Sequence, residues 1–250
     1  MMEERILLTL GYDGTAYCGW QVQENGETVQ GALIRALSVL FGTGIDVLGA
    51  SRTDAGVHAL GQRALVTLPA NMCKVPLDKL PAVVNAKLPN DVVVTRAERA
   101  GEGFHPIFDA KRKTYTYDIH NAPYAHPFMR RYAHHVRAVL NVDAMNRAAA
   151  CFVGTHDFEA FRATGGTTKT SVRTMYSASV TRDGEWVRYT VTGSGFLYNM
   201  VRIMAGTLIF VGMGKLAADD MPGILALRDR TRAGVTAPPQ GLTLVRVEYE

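Results

Sequence analysis

The chain has 250 residues, of which 47% are hydrophobic and 20% are charged. This composition excludes a disordered or disulfide-dependent chain, because it supplies enough apolar side chain for a sizeable core. Residues 1–100 carry nine Lys and Arg against ten Asp and Glu, whereas residues 101–250 carry eighteen against thirteen. The basic second half suggests a polyanionic partner such as nucleic acid, although many basic proteins never bind one.

The distribution of cysteine and of apolar residues indicates a cytoplasmic protein. The three cysteines are scattered, and no two are spaced as CxxC, which is typical of reduced thiols. The acidic start of the chain does not resemble a signal peptide. The most apolar stretch, 196–213, contains Asn199 and Arg202, so it predicts a buried helix and no membrane span.

Periodicity in the first half predicts the order β-α-β-β-α-β, the split βαβ pattern. Thr28 is the expected N-cap of the first helix, and Gly42 follows its end. The predicted elements are strands at 5–10, 45–50, 64–68 and 92–98 and helices at 29–41 and 78–87.

The second half also predicts strands packed on helices, after a change of composition at 100–103. Asn141 or Asp143 is the expected cap of its first helix, and Asp183-Gly184 the expected turn of a hairpin. The predicted strands are at 114–119, 172–181, 186–192 and 242–249. The predicted helices are one that ends near 152 and two that span 197–213 and 219–228. A turn is expected at 154–158 and a mobile loop at 163–171. We therefore expect an α+β protein with halves 1–103 and 104–250, each with a mainly antiparallel sheet.

The polar stretch 51–58, between two predicted strands, is the first candidate site. It contains Arg52, Asp54, Gly56 and His58. Asp54 either forms an Asx-turn ahead of Gly56 or is presented to a ligand by the loop, and local chemistry alone favours neither. Asp13 and Asp157 are better explained as a turn residue and a cap.

Two further residues are unusual where they stand. Arg202 lies in the apolar helix, where its charge needs a partner: either a structural ion pair or a carboxylate that it keeps ionised. Tyr115 follows the basic run 111–113 on a strand, where it is either a core residue or a stacking surface for a nucleotide.

Several common types of site have no counterpart in the sequence. There is no HExxH or Cys/His spacing for a metal, no GxxxxGK[ST] or GxGxxG for a nucleotide cofactor, and no GxSxG for a serine hydrolase. We therefore expect no metal and no cofactor.

Seven groups of residues, in order along the chain, resemble the motifs of the tRNA pseudouridine synthases that modify the anticodon arm. They are YDGT at 12–15, GWQ at 19–21, TVQ at 28–30, RTDAGVHA at 52–59, KTYTY at 113–117, NMVR at 199–202, and a C-terminal block made of Gly206 through Gly214, AP at 237–238 and GL at 241–242. The resemblance covers essentially the whole chain. Its one departure is Ser51, where the family usually has glycine.

This resemblance implies two ferredoxin- or RRM-like halves around a basic cleft, a homodimer, and tRNA as partner. It implies isomerisation of uridine to pseudouridine at positions 38, 39 and 40, with Asp54 as nucleophile. Arg52 would hold a flipped base, Tyr115 would stack on it, and Arg202 would pair with Asp54. A covalent adduct and a glycal intermediate both remain open, as do two other functions: an RNA-binding module without catalysis and a nucleoside hydrolase.

Overall fold

The computed structural model describes residues 3–166 and 168–250, which form two compact units. One unit runs up to Lys111 and also contains Leu244–Glu250, and the other is Arg112–Thr243. The units differ from the predicted halves in that residues 104–111 and 244–250 lie in the first unit. Both combine helices with mainly antiparallel strands, so the prediction of a mixed α+β protein is confirmed.

The first unit has the predicted β-α-β-β-α-β order. Its elements are β1 (Glu3–Tyr12), α1 (Val29–Phe41), β2 (Asp46–Gly49), β3 (His58–Pro69), α2 (Leu80–Asn85) and β4 (Val92–Arg99), with β10 (Leu242–Glu248) joining it from Leu244 onward. The strand order is β4-β1-β3-β10, and β2 also pairs with β3. The pairings of β1 with β3 and β4, and of β2 with β3, are antiparallel.

Helix α1 shows how local sequence sets an element. Thr28 is its N-cap, and the Thr28 hydroxyl accepts the N–H of Gly31 at 3.2 Å. Its buried residues recur every three or four positions, which gives one apolar face. The helix ends at Gly42, whose φ of 80° is the left-handed backbone that glycine adopts without strain.

The second unit contains the remaining elements. They are β5 (Arg112–His120), β6 (His134–His135), α3 (Val142–Ala150), β7 (Gly154–Asp157), β8 (Val172–Asp183), β9 (Trp186–Gly193), α4 (Met200–Gly212) and α5 (Met221–Leu227). The strand order is β5-β9-β8-β7, all antiparallel, and β6 pairs parallel to β5. Asn141 caps α3 as predicted, with its Oδ1 accepting the N–H of Ala144 at 3.0 Å. Helix α4 is buried on almost every side.

Some predicted elements are wrong in kind or extent. The predicted turn at 154–158 is instead strand β7, which pairs with β8 through the backbone. Strand β3 begins at His58, six residues before its predicted start at Ala64, because its pairing with β1 continues through polar residues. Helix α4 begins at Met200 and not at 197, because Asn199 has a left-handed φ of 58°. The helix predicted at about 219–228 is confirmed as α5, which follows a short 3-10 turn, Ala218–Asp220.

Two further predictions concern the loop at 163–171 and the apolar stretch around α4. No described residue of the loop belongs to a helix or strand, and Thr167 lies outside the described residues. None of the helices in the described part of the chain has both the length and the apolar character that a membrane crossing requires.

Candidate active site

The candidate loop contains a tight turn that starts at Asp54. The N–H of Val57 donates to the carbonyl oxygen of Asp54 at 3.1 Å, which closes a four-residue turn. Gly56, the third residue of this turn, has a φ of 77°, the positive value that type II turns require there. The loop therefore presents Asp54 at the start of a bend, and glycine makes the bend without strain.

Thr53 anchors the loop in the interior. It is 7% exposed, whereas Arg52 is exposed and Asp54 half-buried. The Thr53 hydroxyl lies 2.8 Å from the hydroxyl of Tyr12, and the carbonyl oxygen of Thr53 accepts the N–H of Trp20 at 3.0 Å. With Thr53 held inside, the charged side chains before and after it are kept toward the surface.

The GWQ motif at 19–21 packs directly against this loop. Gly19 has a φ of 92°, and a Cβ placed on it would lie 2.5 Å from the carbonyl oxygen of Thr53. Only glycine allows the backbone to approach the loop this closely. Trp20, the next residue, is 2% exposed and belongs to the core.

Gln62 fixes the start of the loop, and sequence analysis did not single it out. Its side chain is fully buried in β3. Its Nε2 donates to the carbonyl oxygen of Ser51 at 2.6 Å, and the Ser51 N–H donates to its Oε1 at 3.2 Å. Its neighbours in the strand are Gly61 and Arg63, so no apolar run marked this amide as buried.

His58 fixes the end of the loop. The imidazole is 5% exposed, and its Nδ1 accepts the N–H of Gly14 at 3.0 Å. Asp13 Oδ1 lies 3.2 Å from the same nitrogen and accepts the N–H of Thr15 at 2.9 Å. These contacts give both His58 and Asp13 structural roles at the loop.

In the second unit, Tyr115 lies on β5 opposite Val191 of β9. It is 5% exposed, and its ring meets the edge of Phe196 with centroids 5.1 Å apart. Lys113, two residues earlier on the same face of the strand, is also buried. Burial, with the positive charge of Arg173 added, lowers the pKa of Lys113 to about 8.

Arg202 and Tyr117 bind adjacent carbonyl groups, which links three of the sequence motifs. Arg202 Nε donates to the carbonyl oxygen of Ala237 at 2.8 Å, and its Nη1 donates to Asn199 Oδ1 at 2.7 Å. The Ala237 N–H returns a hydrogen bond to the carbonyl oxygen of Arg202 at 3.1 Å. The Tyr117 hydroxyl donates to the Pro238 carbonyl oxygen at 2.8 Å.

The predicted site residues thus fall into two sets. Arg52 and Asp54 share one loop of the first unit, while Tyr115 and Arg202 lie on β5 and α4 of the second. Within the described ranges, no group of three or more His, Cys, Asp or Glu side chains is arranged to hold a metal ion. A carboxylate, two guanidinium groups and an aromatic ring are the chemistry that these residues offer.

Comparison with known proteins identifies the family. A family model described as tRNA pseudouridine synthase matches residues 10–109 and 148–250. The chain is 50% identical over 246 residues to the tRNA pseudouridine synthase A of Ruminiclostridium cellulolyticum, covering 98% of this chain and 99% of that protein. Identity is 47% over 245 residues to the protein of the same name from Geotalea uraniireducens, and 46% over 246 residues to that from Brevibacillus brevis, each with at least 98% of both chains covered. The chain therefore belongs to the tRNA pseudouridine synthase family, a family of isomerases.

Proposed function

We propose that this protein converts uridine to pseudouridine at positions 38, 39 and 40 in the anticodon stem-loop of tRNA, with Asp54 as nucleophile and without a cofactor. The observation that carries the proposal is the way the Asp54 loop is built. Its turn starts at Asp54, Thr53 anchors it from inside, and Gln62 clamps the backbone of Ser51. Such support from surrounding side chains is what a reacting group needs to hold its position.

The reaction needs little beyond one positioned carboxylate. The bond between ribose C1′ and uracil N1 breaks, the base turns, and a bond from C1′ to C5 forms. The proton on C5 leaves and N1 gains one, so atoms and charge balance without water, a redox step or a metal. Asp54 either attacks the sugar or stabilises the positive charge that develops on it.

Three other side chains complete the proposed site. A base inside a stem must leave its stack, which costs a few kcal/mol. The exposed guanidinium of Arg52 holds the flipped nucleotide, and the ring of Tyr115 stacks on the uracil. Arg202 pairs with the carboxylate of Asp54 and keeps it ionised. Its hydrogen bonds to Ala237 and Asn199 leave the guanidinium fixed in direction.

The expected assembly and location belong to the same proposal. The protein acts as a homodimer in the cytoplasm, and its partner is the anticodon arm of tRNA. The ferredoxin-like character of the halves and a cleft for the RNA stay predictions.

The decisive experiment replaces Asp54 by Asn, which keeps the shape and removes the charge. We expect Asp54→Asn and Asp54→Ala to abolish pseudouridine formation while tRNA binding stays close to wild type. Pseudouridine at each of the three positions is quantified by selective chemical derivatisation, because isomerisation does not change the mass of RNA. The matched control is Asp46→Asn. Asp46 is an exposed carboxylate on β2, and this variant should retain full turnover.

Undiminished turnover in both Asp54 variants would contradict the proposal. The same assay separates the other two functions. A nucleoside hydrolase releases free uracil, and an RNA-binding module shows binding but no pseudouridine in wild type. Restoring wild-type or Asp54→Asn protein to cells that lack the enzyme then tests the three positions in natural tRNA.

A further inference from the structure

A segment of the second unit outside the predicted site is rich in aromatic and basic side chains. We call residues 121–141 the aromatic–histidine segment; it lies in the stretch 110–147, between the two ranges that the family model matches. It has no Asp or Glu among its residues. It contains three arginines, three histidines and three large aromatic side chains: Arg130, Arg131 and Arg137, His126, His134 and His135, and Tyr124, Phe128 and Tyr132.

Its rings are placed on the surface. Tyr124 is 86% exposed, Phe128 84% and Tyr132 41%. The guanidinium-bearing residues Arg130 and Arg131 between these rings are exposed as well. Because the rings of Tyr124 and Phe128 are almost fully exposed, binding a ligand would cost them no core contacts. Alternating aromatic and basic side chains are the pattern by which proteins hold unpaired nucleotides.

The segment also borders a partly open cavity of about 210 Å³. The polar part of its lining consists of one guanidinium, four imidazoles and one amide: Arg130, His120, His126, His134, His135 and Gln240. No carboxylate is among the lining residues, and Arg130 brings a positive charge, so the cavity favours an anion or a hydrogen-bonding base edge. A metal ion is the less suitable occupant, because the imidazoles among the described residues are not arranged to hold one.

His120 forms the inner wall of this cavity and is not fully satisfied. It is 4% exposed, and its ring packs against Trp186 with centroids 4.7 Å apart. Its Nε2 lies 3.2 Å from Glu185 Oε2, whereas its Nδ1 has no hydrogen-bond partner among the residues that the structure describes. A buried nitrogen of this kind costs free energy unless a partner reaches it. This second observation points to a ligand with hydrogen-bonding groups.

We propose that the aromatic–histidine segment binds an unpaired nucleotide of the tRNA, other than the uridine that reacts. The base stacks on the exposed rings of Tyr124 and Phe128, and its phosphate is bound by Arg130 at the mouth of the cavity. Charge favours RNA over a second copy of the chain, because a symmetric interface here would bring two cationic surfaces together. The inference rests on the proposed function only in taking tRNA as the RNA.

The test measures equilibrium binding of an unmodified tRNA transcript to three full-length variants and wild type. Tyr124→Ser/Phe128→Ser removes both rings, Arg130→Gln removes one charge, and Arg147→Gln is the control. Arg147 is an exposed arginine of α3 in the same unit but outside the segment. Because the two rings are largely exposed, the double variant should keep the thermal midpoint of wild type.

We expect the ring variant to bind tRNA roughly tenfold more weakly, the loss of about one stacked base. Arg130→Gln should weaken binding and lower the slope of log Kd against log salt by about one. Arg147→Gln should bind like wild type. The binding assay involves no turnover, so this result would stand even if wild type formed no pseudouridine.

Two outcomes overturn the inference. One is wild-type affinity in the ring variant at both low and physiological salt. The other is a loss of affinity accompanied by dissociation of an oligomer in sedimentation, which would make the segment an interface between copies of the chain.

Discussion

The hydroxyl groups of Tyr12 and Thr53 lie 2.8 Å apart in the interior of the first unit. This bond joins the end of β1 to the middle of the candidate loop, between two charged residues that both remain accessible. Because Thr53 is 7% exposed, it is the residue whose burial determines where Arg52 and Asp54 stand. The Tyr12–Thr53 bond therefore holds the YDGT motif at 12–15 against the RTDAGVHA motif at 52–59.

Removing either hydroxyl should cost stability, and removing both should cost less than the sum. Tyr12→Phe and Thr53→Val each leave a buried partner without this bond, which costs about 1–3 kcal/mol. In the double variant that penalty is reduced, so the coupling energy should be about 0.5–3 kcal/mol. Urea unfolding of the four proteins measures it. We also expect the Thr53→Val variant to turn over more slowly at saturating tRNA. Additive unfolding energies would show that the two hydroxyls act independently.

Gln62 should matter for turnover as well as for stability. Gln62→Leu leaves the N–H and carbonyl of Ser51 without their side-chain partner, at a cost of about 1–3 kcal/mol. Gln30 is the matched control, because it clamps the backbone of Val22 and Val47 in the same way. Gln62→Leu should lose more unfolding free energy than Gln30→Leu, because Gln62 is fully buried and the bond from Val22 to Gln30 is exposed, and only Gln62→Leu should slow pseudouridine formation by the folded protein. Equal turnover in the two variants would mean that the Ser51 clamp serves folding alone.

The candidate loop and Gln62 show what could and could not be predicted from the sequence. The place of the loop follows from a polar stretch between apolar runs, and the limits of α1 from Thr28 and Gly42. The role of Gln62 does not follow, because its partners are backbone atoms of a residue eleven positions earlier. Strand β7 was missed for a related reason. Its residues are polar, and its pairing with β8 is set by backbone hydrogen bonds, which leave no hydrophobic pattern.

Two donors of Arg202 bind partners that the sequence did not indicate. A carboxylate partner for its charge stays a prediction, and Arg202 also donates to oxygens of Ala237 and Asn199. These acceptors could not be read from the sequence, since one is a backbone carbonyl on a distant segment. They fix the guanidinium in one direction, which suits a positioning role.

Replacement of Arg202 by lysine should damage turnover more than folding. The ammonium group of lysine lacks the planar fork, so it cannot hold Ala237, Asn199 and a further anion together. We expect at least a tenfold loss of turnover from Arg202→Lys and a larger loss from Arg202→Met. Tyr117→Phe is the control, because it removes the bond to the neighbouring carbonyl of Pro238. It should lower the thermal midpoint but retain turnover. Equal losses of turnover in the Arg202 and Tyr117 variants would mean that Arg202 serves only to hold residues 237–238 in place.

Lys113 should make the stability of the protein depend on pH in an unusual direction. Burial, with the charge of Arg173 added, lowers its pKa from 10.5 to about 8 in the folded protein. In the unfolded chain lysine titrates near its ordinary value of about 10.4. Between pH 8 and 10 the unfolded state therefore binds more protons, and the free energy of unfolding rises with pH. Below pH 8 both states are charged, and the cost of burying the ammonium is fully present.

The comparison of wild type with Lys113→Met isolates this effect from other titrating groups. The difference between the two unfolding free energies, measured in urea at pH 7, 8.5 and 10, should shift by about 3 kcal/mol in favour of wild type as pH rises. Arg173→Gln removes the neighbouring positive charge, so it should raise the pKa of Lys113 and move the rise to higher pH. A difference that stays constant from pH 7 to 10 would mean that Lys113 keeps an ordinary pKa. An unchanged curve in Arg173→Gln would leave burial as the whole cause.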